Sequence, residues 1–554
     1  MKSIILAFSA LTLAVLPSSK ATATDAGAAW WKSGVVYQIY PRSFQDTNGD
    51  GVGDLKGITQ RLDYLRDLGV DAVWISPFYP SPMKDFGYDV TNFTDVDPRF
   101  GTLADFDTLV AEMHKRGLRL VMDFVPNHSS DEHPWFVESR SSKDNPKRDW
   151  YMWRDGRSAN QPPNNWLSVF SGSAWTYDPT TSQYYYHAFL KEQPDLNWHN
   201  AELRAAMLSA MRFWLERGVD GFRIDGISHT MEDAALLDEP ADPSYKDTKP
   251  EFDKLLHVYT TEQRSNHSIV REMRKLCDQY PGERALITEA YITFEQQAAY
   301  YGTPEAPEAQ LPFNFHLISA DWTAASVAKV VAEYEASLPT HGWPNWVLSN
   351  HDKHRLGTRL PQGQARIAAM VLLTLRGTPT LYYADELGMK DVFVPPERAQ
   401  DPVELKTPGK GFGRDPERAP MLWDATANAG FTTGTPWLPL EPDYVTLNAE
   451  AQDSDPQSML SLYKSLVKLR RATPALNVGS YQQVAATEGV FAFIREAADQ
   501  KFFVALNFTD KISKVALGDL VGRVVFTSVL DQVGQSVAGA LELRPNEGVV
   551  VRLD

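Results

Sequence analysis

Cysteine is almost absent: Cys277 is the only one in 554 residues. That excludes an intrachain disulfide and a thiolate-rich metal site, and a lone thiol of this kind is expected to be buried and inert. Clustered positive charge is missing too. The formal net charge is −17 and no basic run interrupts the chain, which argues against nucleic acid or an anionic membrane as partner. After the N-terminal segment no apolar run is long enough to anchor the chain in a bilayer. Internal repeats and low-complexity stretches are likewise absent, so solenoid and disordered classes drop out.

What is present is a globular composition with 15 Trp, 22 Tyr and 26 Phe. Most of these rings pack a core, but aromatic faces also make platforms for sugar rings. At the start, Lys2 precedes an apolar run over 4–16 and the small-residue sequence Ala21-Thr22-Ala23. This pattern predicts a cleavable signal over 1–23, hence a secreted or periplasmic protein.

Short β-rich runs alternate with helical periodicity between residues 35 and about 390. Strands are expected at 35–40, 72–75, 118–125, 221–224, 286–288, 313–317, 346–348 and 378–383, with helices carrying Leu55-Ile58-Leu62-Leu65, Phe106-Leu109-Val110-Met113 and Leu203-Met207-Met211-Trp214. Eight strands separated by helices predict an α/β fold, a (β/α)8 TIM barrel whose site lies at the C-terminal strand ends. The barrel is assigned to 24–128 and 201–474. A long polar and aromatic insertion over 129–200 follows the third strand, and a smaller Pro-rich one over about 390–440 follows the eighth. Alternating strands at 490–494, 502–507, 524–528 and 549–553 predict a C-terminal antiparallel β-sandwich over 475–554.

Three acidic residues close apolar strands: Asp225 after Gly-Phe-Arg-Ile, Glu289 after Leu-Ile-Thr, and Asp352 in Ser-Asn-His-Asp. One carboxylate at a strand end is commonly a loop cap or an ion-pair partner. Three, each beside a polar neighbour (Arg223, Asn350, His351), point to catalysis. The set suits acetal cleavage, in which one carboxylate attacks as the anion while another, protonated, releases the leaving oxygen. Arg223, two residues before Asp225 on the same strand, would keep it ionised.

The segments Asp123-Phe-Val-Pro-Asn-His128, Gly221-Phe-Arg-Ile-Asp225, Glu289 with its strand, and Asn350-His-Asp352 resemble those of the α-amylase family, family 13 of the glycoside hydrolases. A fifth, Gln193-Pro-Asp-Leu-Asn197, resembles the signature of its α-glucosidase and oligo-1,6-glucosidase branch. The resemblance covers residues 30–554. It implies Asp225 as nucleophile, Glu289 as general acid/base and Asp352 as transition-state stabiliser, with His128, His351 and Arg223 around the bound sugar. It also implies that Asp85 grips the non-reducing end, that Tyr88 stacks on the ring, and that Phe170 and Phe189 wall the pocket. The Asp85 partner is expected to be Arg414 rather than Arg418, closing the pocket so that one terminal glucose is removed. The loop Asp46-Thr-Asn-Gly-Asp-Gly-Val-Gly-Asp54 has oxygen ligands at alternating positions with glycines for the turns, which suits Ca2+ or Mg2+. Related enzymes bind a structural cation through the counterparts of Asp46, Asn48, Asp50, Asp54 and the Val52 carbonyl. No organic cofactor is implied.

The implied activity is a retaining α-glucosidase acting on a small oligosaccharide or α-glucoside, as a monomer or homodimer. Gly226, where α-1,6-preferring relatives tend to carry Val, favours α-1,4 substrates such as maltose. Thr288 before the acid and Lys353 after Asp352 depart from the usual Gly and polar residue, which leaves acceptor preference open. The Arg-Leu-Asp-Arg-Asp loop of sucrose-isomerising relatives is absent. A transglucosylase with the same residues, a relative acting on sucrose or trehalose, an inverting enzyme and a non-catalytic sugar-binding barrel are the alternatives.

Overall fold

The computed structural model describes residues 29–158, 161–487 and 489–554; the expected signal over 1–23 lies outside them. Seven parallel strands form the central sheet: β1 (Val36–Ile39), β2 (Ala72–Ile75), β3 (Arg119–Phe124), β4 (Gly221–Ile224), β5 (Ala285–Thr288), β6 (Asn345–Val347) and β7 (Thr378–Tyr382). Their spatial order is β6-β7-β1-β2-β3-β4-β5. The sixth place of the (β/α)8 barrel is filled by chain that is not a strand, which corrects the expectation for 313–317. Gln310 and Leu311 donate to the Leu286 carbonyl and Phe313 to that of Thr288, but Pro312 has no N–H to offer. On the other side only the Asn345 side chain reaches Leu311. Asn314 then accepts from the His316 N–H, and the chain turns into the helix His316–Ser319.

Side chains alternate across each strand. Val36, Ala72, Trp74, Val121, Ala285, Ile287 and Val347 share the cluster inside the barrel. Tyr37, Ile39, Val73, Leu120, Met122, Phe222 and Ile224 face outward against the helices. Helix Leu103–Lys115 starts at Thr102 with a reciprocal cap to Asp105 and buries Phe106, Leu109, Val110 and Met113. Helix Ala201–Glu216 is capped by Asn200 and buries Leu203, Met207, Met211 and Trp214 at helical spacing.

Within 129–200 a small antiparallel sheet (Trp153–Arg154, Gln183–Tyr186, Trp175–Asp178) carries its own aromatic cluster of Trp166, Trp175, Tyr184 and Tyr186. The C-terminal region is an antiparallel six-stranded sheet between Ser480 and Leu553. Two of its strands, Ser480–Ala486 and Ser536–Leu543, had no counterpart in the sequence reading. Its 15-residue strand, Ser513–Thr527, shifts register twice against the edge strand Ser536–Leu543, and the sheet packs an apolar cluster including Val490, Phe503, Val537 and Val551. Cys277 is buried and its thiol is pushed up to about 12 by burial, so it carries no reactive thiolate.

Candidate active site

The inward parity that places Val121, Gly221 and Ala285 inside the barrel continues upward to Asp123, Arg223, Asp225 and Glu289. Asp123 pairs in register with Arg223. Ile224 pairs with Thr288, so the next residues, Asp225 and Glu289, stand side by side on neighbouring strands about 4.8 Å apart. The backbone extends the ladder here: Glu289 donates to the Ile224 carbonyl and Asp225 to that of Phe124.

One guanidinium serves three carboxylates. Arg223 Nη1 donates to Asp123 Oδ1 and Oδ2 (3.0 and 3.2 Å) and to Asp225 Oδ1, while Nη2 lies 3.4 Å from Glu289 Oε2. Glu289 Oε2 also accepts from the Gly226 N–H (2.9 Å). Asp123 is further held by the Trp74 Nε1–H and the Tyr88 hydroxyl. Burial pushes the Asp225 carboxyl well above its ordinary range; Glu289 and Asp123 add to this and Arg223 opposes it. Three carboxylates around one cation retain a proton that isolated carboxylates would have lost.

Asp352, after β6, has the opposite balance. Burial alone would raise it, but His351, Arg414 and Arg418 outweigh that and hold its carboxyl far below the usual range. Arg414 Nη1 (3.1 Å) and Arg418 Nη2 (2.9 Å) both donate to Oδ1. Arg414 Nη2 reaches Asp85 Oδ1 at 2.8 Å, so Arg414 is the Asp85 partner, and Arg418 instead also binds the His351 carbonyl. Asp401 anchors Arg414 through its N–H and its guanidinium.

His351 Nδ1 lies 2.8 Å from Gln38 Nε2, which donates, so the proton sits on Nε2, 2.7 Å from the Tyr88 hydroxyl. The Tyr88 and His351 rings are parallel. Burial lowers both His128 and His351 to about 3, so both imidazoles are neutral. Gln193 bridges His128 to Asp85 Oδ2.

These groups surround a cavity of about 790 Å³. Asp85, Tyr88, His128, Phe170, Phe189, Asp225, Glu289, His351, Asp352 and Arg414 all line it, and Arg223 lies buried beneath. Phe170 sits against Phe189, and the Arg414 guanidinium is 5.2 Å from its ring. Gly226 has φ 54°, and a Cβ there would stand 3.6 Å from the Phe189 ring. The sequence reading gave no role to Gln38, Asp123, Asp401 or Tyr291, the last a lining residue whose hydroxyl accepts from the Asn350 side chain. Asp123 shares the inward parity of Arg223, a signal available from period two alone. Asp401 lies 13 residues before Arg414 in an irregular segment, where no periodicity points to it.

In the acidic loop, Asp46 Oδ1 accepts from the Asn48 and Gly49 N–H groups and Oδ2 from that of Gly51. Asp54 accepts from Thr47 and caps the following helix at Gly57. Gly51 is left-handed, and a Cβ on it would strike the Thr435 carbonyl at 1.9 Å. The donors are all hard oxygens, which fits Ca2+ or Mg2+. The Asp46, Asp50 and Asp54 carboxylates do not converge within 4.8 Å of one another, and each accepts a hydrogen bond from the loop's own backbone.

The catalytic-domain model of the α-amylase family matches residues 38–479. The chain belongs to the α-amylase family. It is 42% identical to a probable α-glucosidase of Rhizobium meliloti, over 87% of this chain and 90% of that protein. It is 39% identical to an oligo-1,6-glucosidase of Parageobacillus thermoglucosidasius, over 88% and 92%. A crystal structure of an α-glucosyl transfer enzyme superposes with TM-score 0.89 at 40% identity, covering 95% of this chain and all of that one. This α-amylase-family member is therefore a glycosidase of the α-glucosidase and oligo-1,6-glucosidase branch.

Proposed function

We propose that the protein is a retaining, exo-acting α-glucosidase that removes the terminal non-reducing glucose from short α-1,4-linked oligosaccharides such as maltose. The observation that carries this reading is the Arg414–Asp85 pair in the lining of a cavity that also holds Asp225, Glu289 and Asp352; on this reading the pair closes the pocket beyond one sugar. In the first step the Asp225 carboxylate attacks the anomeric carbon. The bond to the leaving oxygen breaks as Glu289 gives that oxygen its proton. In the second, Glu289 takes a proton from water, the water oxygen bonds to the anomeric carbon, and the ester to Asp225 breaks. Asp352, fixed as the anion, binds hydroxyls of the sugar through the oxocarbenium-like transition state. His128, Tyr88 and His351 line the pocket around it as uncharged groups. Phe170 and Phe189 flank the ring.

Asp225 and Glu289 follow paired residues on adjacent strands and both contact the Arg223 guanidinium, a closeness that supports the retaining reading, in which the two carboxyl groups lie about 5–5.5 Å apart. Gly226, standing where α-1,6-preferring relatives tend to carry Val, favours α-1,4 over α-1,6 substrates. The same reading has loop 46–54 bind Ca2+ or Mg2+ as a structural ion, apart from the chemistry. Initial rates on maltose, isomaltose, sucrose and trehalose test the linkage, and maltose should be fastest. Product analysis at high maltose tests hydrolysis; mainly longer sugars in place of free glucose would make the enzyme a transglucosylase.

A further inference from the structure

His354, Asp391 and Glu417 meet beside the cavity, from the segments that follow β6 and β7. His354 Nδ1 is 2.8 Å from Asp391 Oδ2 and 3.6 Å from Glu417 Oε2. All three ligand atoms lie within 4.8 Å of one another, and among the described residues no other trio of His, Cys, Asp or Glu does so. Glu417 is 1% exposed, yet its Oε2 has no hydrogen-bond partner. A buried carboxylate oxygen left without a donor is costly, and this one is aimed at the other two ligand atoms.

Asp391 is held in place by its surroundings: Oδ1 accepts from the Arg355 N–H (2.8 Å), and its own N–H donates to Thr358 Oγ1 (2.7 Å). Such outer contacts are what orient metal ligands. Two ligands on a tetrahedral zinc, each about 2.0–2.1 Å from the ion, stand roughly 3.3 Å apart; the two separations observed here fall on either side of that value. One imidazole and two carboxylates suit a borderline divalent transition ion better than Ca2+.

We propose that His354 Nδ1, Asp391 Oδ2 and Glu417 Oε2 bind a divalent transition ion of the Zn2+ class. The fourth position would hold water on the cavity side, which His354 and Glu417 both line. The ion would tie the segment that carries Asp352 to the one that carries Arg414 and Arg418. The competing arrangement is a protonated His354 bridging the two carboxylates, which takes up no metal.

The test uses the tag-free full chain in excess Ca2+, so that oxygen-only sites are filled. Zn2+ is titrated calorimetrically, and Co2+ serves as a spectroscopic substitute. The expected result is one ion per chain, visible Co2+ bands of a low-coordinate site with a nitrogen ligand, and a higher Tm with Zn2+. His354→Ala and Asp391→Asn should each abolish all three, with Tm without transition metal kept close to that of the unaltered protein. Absence of stoichiometric Zn2+ binding by the unaltered chain overturns the proposal. So does undiminished binding by whichever of the two variants folds.

Discussion

Asp225 and Glu289 stand abreast because Ile224 and Thr288, the residues before them, are paired in register on adjacent strands. No loop has to bring them together. The ladder sets their spacing, and Arg223, one step inside on the same strand as Asp225, contacts both. Sites built on strands hold their geometry better than sites built on loops, and the proposed chemistry rests on these two residues.

Replacement of Asp225 by Asn should lower kcat for maltose by about 10⁴-fold or more, because no covalent intermediate forms. Glu289→Gln should cost about 10²–10⁴-fold on maltose and far less on an aryl glucoside whose leaving group needs no proton. Steady-state rates on the two substrates check this; an equal loss on both would remove Glu289 from the acid role.

The pH profile follows from the proton shared around Arg223. Activity needs one proton on the Asp225–Glu289 pair and fails when that proton is lost. Burial, with Glu289 and Asp123 adding to it, raises the Asp225 carboxyl, so the alkaline limb of kcat should lie well above the ordinary carboxylate range. Asp352 is shifted the other way and stays ionised throughout, so it contributes no acid limb. A profile of kcat on maltose between pH 3 and 10 tests both statements.

Asp225 also bears on stability. Its folded pKa is raised, so the folded state holds the proton more tightly than the unfolded chain does. Stability therefore falls as pH rises from about 3.8, the ordinary value, through the folded one. Asp225→Asn should then have a higher Tm than the unaltered protein at pH 7, with the difference vanishing near pH 3. Calorimetry at both pH values decides it, and a lower Tm at pH 7 would count against the burial penalty.

Arg414→Ala removes the buried partner of Asp85, Asp352 and Asp401 together. Truncating one member of such a network costs about 2–5 kcal/mol, so kcat/KM for maltose should fall about 30- to 5000-fold. Arg418→Ala, which leaves the Asp85 contact in place, should spare the preference for short over long malto-oligosaccharides that Arg414→Ala erodes. The ratio of kcat/KM on maltose to that on maltoheptaose is the measurement.

Much of this site was legible in the chain because strand-end positions obey a period of two. Asp225, Glu289 and Asp352 each end an apolar run, and Arg223 shares the parity of Asp225. The sixth strand was misread because Phe313, Phe315 and Leu317 have the apolar character of a strand. Pro312 and the Asn314 turn, which deny the segment a second ladder, carry no apolar signal. The two missed C-terminal strands are Gln-rich or Gly-interrupted, so burial on one face barely marks them. Asp401 was invisible for a different reason. Its role depends on how an irregular loop folds back on Arg414, and that is a tertiary matter.

Arg414 joins Asp85 and Asp352 within the cavity lining. On the proposed reading, pocket depth and grip on the sugar are then a single variable. A descendant enzyme that admits longer chains by losing this side chain would at the same step loosen its hold on the first glucose. Lengthening the substrate would have to begin from a weaker enzyme, with new contacts further out restoring what the end wall had supplied.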